Sequence, residues 1–190
     1  MPEYLHPGMR AGDVRRQIVA TVGVDPPAEA VHLFVWHDGI DNDAWERDDV
    51  ATGFARLFGD THFAPLAEAI REVRERIEGD ETTARYSMLG DAQQTWKPSW
   101  FPTFCQGWET YAVECDPDSP DRGSIYDPSW DPPVDVGPGP RFRDLLHLVE
   151  SVNRRFQAGG YWWDTARRFL EERQELLEPL YEREIAEARA

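Results

Sequence analysis

Lysine is all but missing from this 190-residue chain: Lys97 is the single one among 20 basic side chains, the rest being arginine. We read that skew as GC-rich bacterial coding bias rather than as chemistry. Cysteine is scarce as well. Cys105 and Cys115 sit on either side of a corner at Gly107, at positions that do not oppose each other in a tight hairpin, so both are expected as reduced core thiols. No second Cys or His pair with ligand spacing accompanies them, which disfavours zinc. No apolar run approaches the roughly 18 residues of a spanning helix, and the first residues lack a basic-then-apolar signal pattern, so a soluble cytoplasmic protein is expected. Positive charge is in deficit: 36 acidic against 20 basic side chains leave a formal charge of −16. That balance disfavours direct binding to nucleic acid phosphates or anionic lipid and makes a basic protein the natural partner.

The motifs of acyl transfer and nucleotide chemistry are missing too. There is no G-x-S-x-G elbow and no Walker or G-x-G-x-x-G loop, and neither cysteine has a neighbouring base to lower its pKa. Gly137-Pro138-Gly139-Pro140 shares only glycine content with a phosphate loop, because its prolines remove the N–H groups a phosphate needs. His37-Asp38 has the look of a phosphohydrolase metal pair, but His6, His32, His62 and His147 show no ligand spacing around it, and a turn at the end of a helix is the plainer reading. Asp41-Asn42-Asp43 and the set Asp116, Asp118 and Asp121 do not fit an EF-hand loop; the first lacks the Gly and distal Glu, the second contains Pro117 and Pro120. No catalytic residue, metal or cofactor is expected.

What is present is aromatic. Eight Trp, nine Phe and six Tyr supply a core large enough for one domain without staples. The densest stretch runs from Trp96 to Trp130. There Trp100 to Cys105 reads as one strand, and Thr110 to Cys115 as a half-buried strand with Tyr111, Val113 and Cys115 on one face. Gly123 to Tyr126 completes an antiparallel meander with one acidic side. Ahead of it, Asp13 is expected to cap a helix carrying Val14, Ile18 and Val22 up to Gly23. Asp25-Pro26-Pro27 then opens a short helix ending at Trp36. Thr52 to Phe58 fits either a strand or a helical turn. Pro65 opens an amphipathic helix with the stripe Leu66, Ile70, Val73 and Ile77, a wet face at Glu72 and Arg76, and a stop at Gly79. After a Pro/Gly-rich coil, a helix from Arg141 is expected to bury Phe142, Leu145, Leu146, Val149, Val152 and Phe156 and to end at Gly159-Gly160. A long charged helix follows from Asp164, kinked or broken near Pro179. The fold class is α+β, a central antiparallel β-sheet flanked by N-terminal, middle and C-terminal helices, with residues 1–164 as the domain and 165–190 as a charged helical extension.

Charge is concentrated in two places. Residues 38–49 carry a net −5 and residues 109–135 a net −7, together most of the total. Asp38, Asp41, Asp43, Asp116, Asp118, Asp121, Asp127 and Asp131 are therefore the candidate partner-binding residues.

The order of these features resembles a known family. A helix pair ending in Trp36-His37-Asp38-Gly39, a helix entered through Phe63 to Ala69, and Trp96-x-Pro98-x-Trp100-x-Pro102 before a Gly-bounded acidic strand are similar to the Smi/Knr type of the SUKH superfamily. The likeness spans about Gly12 to Asp164. It departs where Asp25-Pro26-Pro27 replaces the usual Leu-Pro and where the charged tail exceeds the family core. The resemblance implies an α+β fold and, for many bacterial members, an immunity protein that neutralises a cognate toxin domain, often a nuclease. The fungal relatives imply the alternative, a regulatory scaffold without a toxin partner. A metal-dependent hydrolase using His37 and Asp38 is the remaining alternative.

Overall fold

Val14, Ile18 and Val22, spaced one turn apart, are all buried on helix α1 (Ala11–Val22). Gly23 ends the helix at φ 77° and donates its N–H to the Val19 carbonyl. The helix starts earlier than expected: Arg10 holds the N-cap position, and Asp13 lies inside the first turn, paired with Arg16. Helix α2 (Ala28–Trp36) follows Pro27 and buries Ala30, Val31 and Phe34. The structure, a computed structural model, describes residues 5–40, 62–83, 96–106, 109–128, 139–164 and 169–190. Asp41, Asp43, Asp131, the Gly107 corner, the 52–58 segment and most of the Pro/Gly-rich coil lie outside them.

Trp36-His37-Asp38-Gly39 is a structural junction rather than a turn. Residues 37–39 belong to strand β2 (His37–Ile40), which pairs antiparallel with β1 (Leu5–Pro7). His37 Nδ1 donates to the His6 carbonyl at 3.0 Å. Asp38 Oδ1 accepts the Leu66 N–H at 2.8 Å and so caps helix α3 (Leu66–Thr83) from 28 residues away. Gly39, at φ 76°, lies so close to the backbone of Ala64 and Pro65 that a Cβ would collide with both.

Helix α3 buries Leu66, Ala69 and Val73 and runs through Gly79 instead of stopping there. Glu72 and Arg76 do not form a wet face. They pair at 2.6 Å, Arg76 reaches Thr110 Oγ1 at 2.8 Å, and its guanidinium lies over the Trp96 ring, so this polar pair faces the sheet. Strands β3 (His62–Phe63), β4 (Trp100–Gln106), β5 (Glu109–Glu114) and β6 (Ile125–Tyr126) form one antiparallel four-stranded sheet in that order. A register shift between Pro102 and Phe104 gives β4 an extra residue. The Thr103 carbonyl accepts the Ala64 N–H, and Thr103 Oγ1 donates to the Tyr111 carbonyl. Strand β5 is buried on both faces, not half-buried: Thr110, Ala112 and Glu114 are as inaccessible as Tyr111, Val113 and Cys115. Thr110 meets α3, while Tyr111 meets Phe104 and Phe142 edge to face.

The last third departs most from expectation. Asp144 Oδ1 accepts the His147 N–H at 2.7 Å, so helix α4 is Leu145–Gln157 and Phe142 belongs to the sheet core through a bridge to Ile125. Its buried face is His147, Leu148, Ser151, Val152 and Arg155, whereas Leu146, Val149 and Phe156 are 65%, 56% and 38% exposed. Strands β7 (Tyr161–Asp164) and β8 (Phe169–Glu172) pair where a long helix was expected. Helix α5 (Gln174–Ala188) begins later, continues through Pro179 and packs on α4. The architecture is α+β, with five helices among the described residues around the four-stranded sheet and two small two-stranded sheets.

Candidate functional site

Strand β5 ends in a buried carboxylate. Glu114 accepts from Ser99 Oγ at 2.7 Å, the Asp116 N–H at 2.9 Å, Trp100 Nε1 at 3.1 Å and Lys97 Nζ at 3.3 Å. Burial pushes its pKa up, but the hydrogen bonds from Ser99 and Asp116 and the Lys97 charge outweigh that and leave the carboxyl below its ordinary value. Lys97 also stands over the stacked rings of Trp100 and Tyr126, at 5.4 and 5.1 Å from their centroids. The single lysine thus covers the aromatic floor of the turn that follows.

That turn carries the sequence-predicted acids Asp116, Asp118 and Asp121. Its backbone is closed by Ser119 N–H to the Asp116 carbonyl, Arg122 N–H to the Ser119 carbonyl and Ser124 N–H to the Asp121 carbonyl, and Gly123 takes φ 90°. Asp116 Oδ1 accepts the Asp118 N–H, an Asx turn, and Asp121 Oδ2 accepts the Tyr126 hydroxyl at 2.7 Å. Burial and that carboxylate push the Tyr126 phenol well above its usual range. Arg122 donates to the Asp25 carbonyl, and Asp25 pairs with Arg15, so the turn is tied to the α1–α2 connection. Asp118 stands exposed at the tip.

Asp116, Asp118 and Asp121 are therefore brought together. Asp127 follows β6 and is half-buried. Asp38 belongs elsewhere: its oxygen caps α3. Asp41, Asp43 and Asp131 lie outside the described residues. Sequence reasoning missed Glu114, Arg122 and Asp25 as the supports of the turn. The only signal for Glu114 was an acid in an alternating strand, which reads as solvent-facing until both faces prove covered.

A second cluster was also missed. His62 pairs across the ladder with Cys105, and His62 Nε2 lies 3.6 Å from Glu68 Oε1, a Cys-His-Glu set beneath α3. Burial, then Glu72 and Glu68, push the Cys105 thiol well above its usual range, the reverse of what a thiolate nucleophile needs. Burial and Glu114 likewise push Cys115 up to about 12. Both cysteines are free and buried, as expected. Among the described residues, no group of three or more His, Cys, Asp or Glu is placed to hold a metal ion, and no helix is long and apolar enough to cross a membrane. No family model matches the chain, and no curated protein is significantly similar to it.

Proposed function

We propose that this chain is a non-enzymatic protein-binding module, an immunity protein of the Smi/Knr type that acts in the cytoplasm and neutralises a basic toxin domain through its acidic surface. The observation that supports this reading is the construction of the acidic turn. The Asp116 N–H is held by the buried Glu114 carboxylate, and Asp118 and Asp121 follow it in a turn closed by its own backbone bonds, so their charge is displayed on a fixed frame. A preorganised charged surface binds without an ordering cost and steers its partner electrostatically. The hydrolase built on His37 and Asp38 is less well supported, since His37 Nδ1 is engaged by the His6 carbonyl and Asp38 Oδ1 by the Leu66 N–H.

The clean test is Asp118→Lys, because Asp116 and Asp121 also hold the turn together while Asp118 stands at its tip. With the protein encoded in the adjacent reading frame as partner, the association rate is expected to fall several-fold (about 2- to 10-fold) and its salt dependence to weaken, because the other acids of the surface remain. An unchanged rate and an unchanged salt dependence overturn the acidic-surface reading. A basic partner that is no toxin keeps the surface and favours the regulatory scaffold instead.

A further inference from the structure

Leu146, Val149, Asn153 and Phe156 follow one another at steps of three, four and three residues along α4, and all four are exposed. They lie on the side of the helix away from the buried Leu148, Val152 and Arg155. The steps make one stripe about 15 Å long, and they are the repeat with which two helices pack side by side, apolar at both positions of the repeat with one amide between. Helix α5 packs on the flank that carries His147 and Arg155, and Leu148 and Val152 belong to the sheet core, which leaves the stripe uncovered. At its far end the Phe156 ring leans on Tyr161, centroids 4.8 Å apart. The stripe is also nearly without charge. Beside it only Glu150 and Gln157 are exposed, so this face presents a single ionised group in a chain of net charge −16.

We propose that this face docks a second copy of the chain, the two α4 helices packing in parallel about a twofold axis. Charge selects the occupant. A basic partner gains little from a face with one acid, whereas two copies that repel each other over most of their surfaces can meet where acids are fewest. A twofold axis sets the same patch against itself, so Leu146, Val149 and Phe156 each meet their counterparts. Each Asn153 amide then faces another amide, to which it can both donate and from which it can accept. Glu150 stands at the edge of the stripe and meets the Leu145–Val152 flank of the other copy rather than a second carboxylate. Area sets the strength. Four side chains cover a few hundred Å² per copy, well under the roughly 800 Å² of a standing complex, so the dimer is weak, with a Kd on the order of 100 μM. None of these residues belongs to the acidic turn, and the pairing does not depend on the toxin reading.

Sedimentation equilibrium of the full chain tests the pairing. Between about 10 μM and about 1 mM the mean mass is expected to rise from one chain towards two. Salt screens the repulsion between copies, so association should tighten between about 50 and about 500 mM salt, the opposite of its effect on capture of a basic partner. Leu146→Glu is expected to weaken self-association about tenfold or more, because it sets two carboxylates against each other at the seam. Asn153→Leu is expected to tighten it about threefold or more, since a polar residue at that position costs affinity. A chain that stays single at about 1 mM, a mass that climbs past two chains, undiminished association in Leu146→Glu or looser association in Asn153→Leu overturns the proposal. So does a Leu146→Glu variant that self-associates as before while losing the protein encoded in the adjacent reading frame, which assigns the face to that partner. Should Leu146→Glu fail to fold, amide shifts of the natural chain followed on dilution decide. Changes centred on residues 146–156 support the pairing, and changes centred elsewhere overturn it.

Discussion

Around the central sheet, a single apolar cluster draws on α1, α2, α3, α4 and every strand from β3 to β6, and a chain of rings runs through it from Phe34 through Phe63, Phe104 and Tyr111 to Phe142, with centroids 5.4 to 6.5 Å apart. Where α5 meets α4, the apolar part shrinks to Tyr161, Leu177 and Tyr181, and charge carries the rest. Arg155 makes a two-pronged pair with Glu184 in full burial, and Arg154, Arg183 and His147 converge on Glu187. Arg183 and then Arg154 hold the Glu187 carboxyl down at about 2. The difference teaches where each region is vulnerable. Packed rings lose stability when volume is removed; ion pairs lose it when one partner is removed or when a proton arrives.

The largest effect is expected from Trp100→Ala, which empties a fully buried indole site and should cost about 3–5 kcal/mol in denaturant unfolding, felt by every probe. A fully stable variant breaks the account of the sheet core. Glu184→Ala leaves the Arg155 charge buried without its carboxylate and should cost about 3 kcal/mol, with α5 losing exchange protection before the sheet. The paired replacement Arg155→Met with Glu184→Leu should recover most of that loss; failure to recover means the pair contributes more than charge neutralisation.

Glu114 sharpens the comparison, since it is an ionic group inside the packed region. Glu114→Gln keeps the shape but gives up charge-assisted bonds, at about 1.5–3 kcal/mol at neutral pH. Its carboxyl is held below the ordinary value in the folded chain, so on acidification the unfolded chain takes up the proton first. The stabilisation is complete above the unfolded carboxyl value and disappears as pH falls through the lowered folded one. The acid limb of a stability-against-pH curve should therefore be shallower for Glu114→Gln than for the natural chain. The smallest effect belongs to Asp118→Lys, expected to move unfolding by no more than about 0.5 kcal/mol.

Much of the fold was legible because local chemistry and tertiary packing agree there. Val14, Ile18 and Val22 read as one face and are one face; Gly23 reads as a stop and adopts the left-handed conformation that makes it one; the strands flanking the 107 corner pair as expected. Helix α4 was not legible because apolar residues occur all around it. Periodicity could not choose between the Leu148–Val152 side and the Leu146–Val149–Phe156 side, and the choice was made by His147, Ser151 and Arg155, whose partners are on α5, Arg154 and the Arg143 backbone. The same holds for Glu72 and Arg76, polar residues whose destination is Thr110, more than thirty residues on. In the candidate site the acids of the turn were visible one by one. The carboxylate that supports them was not, because its donors come from Lys97, Ser99 and Trp100 across the sheet.

Asp38 has a consequence for the order in which the chain folds. A helix normally carries its own cap next to its first turn and can nucleate alone. The first turn of α3 instead leaves a backbone donor waiting for an oxygen on β2, so closing it means closing a loop of 28 residues first. The bond is expected to form late, together with the β1–β2 pair, so Asp38→Ala should leave the folding rate nearly unchanged while it speeds unfolding, as chevron kinetics would show.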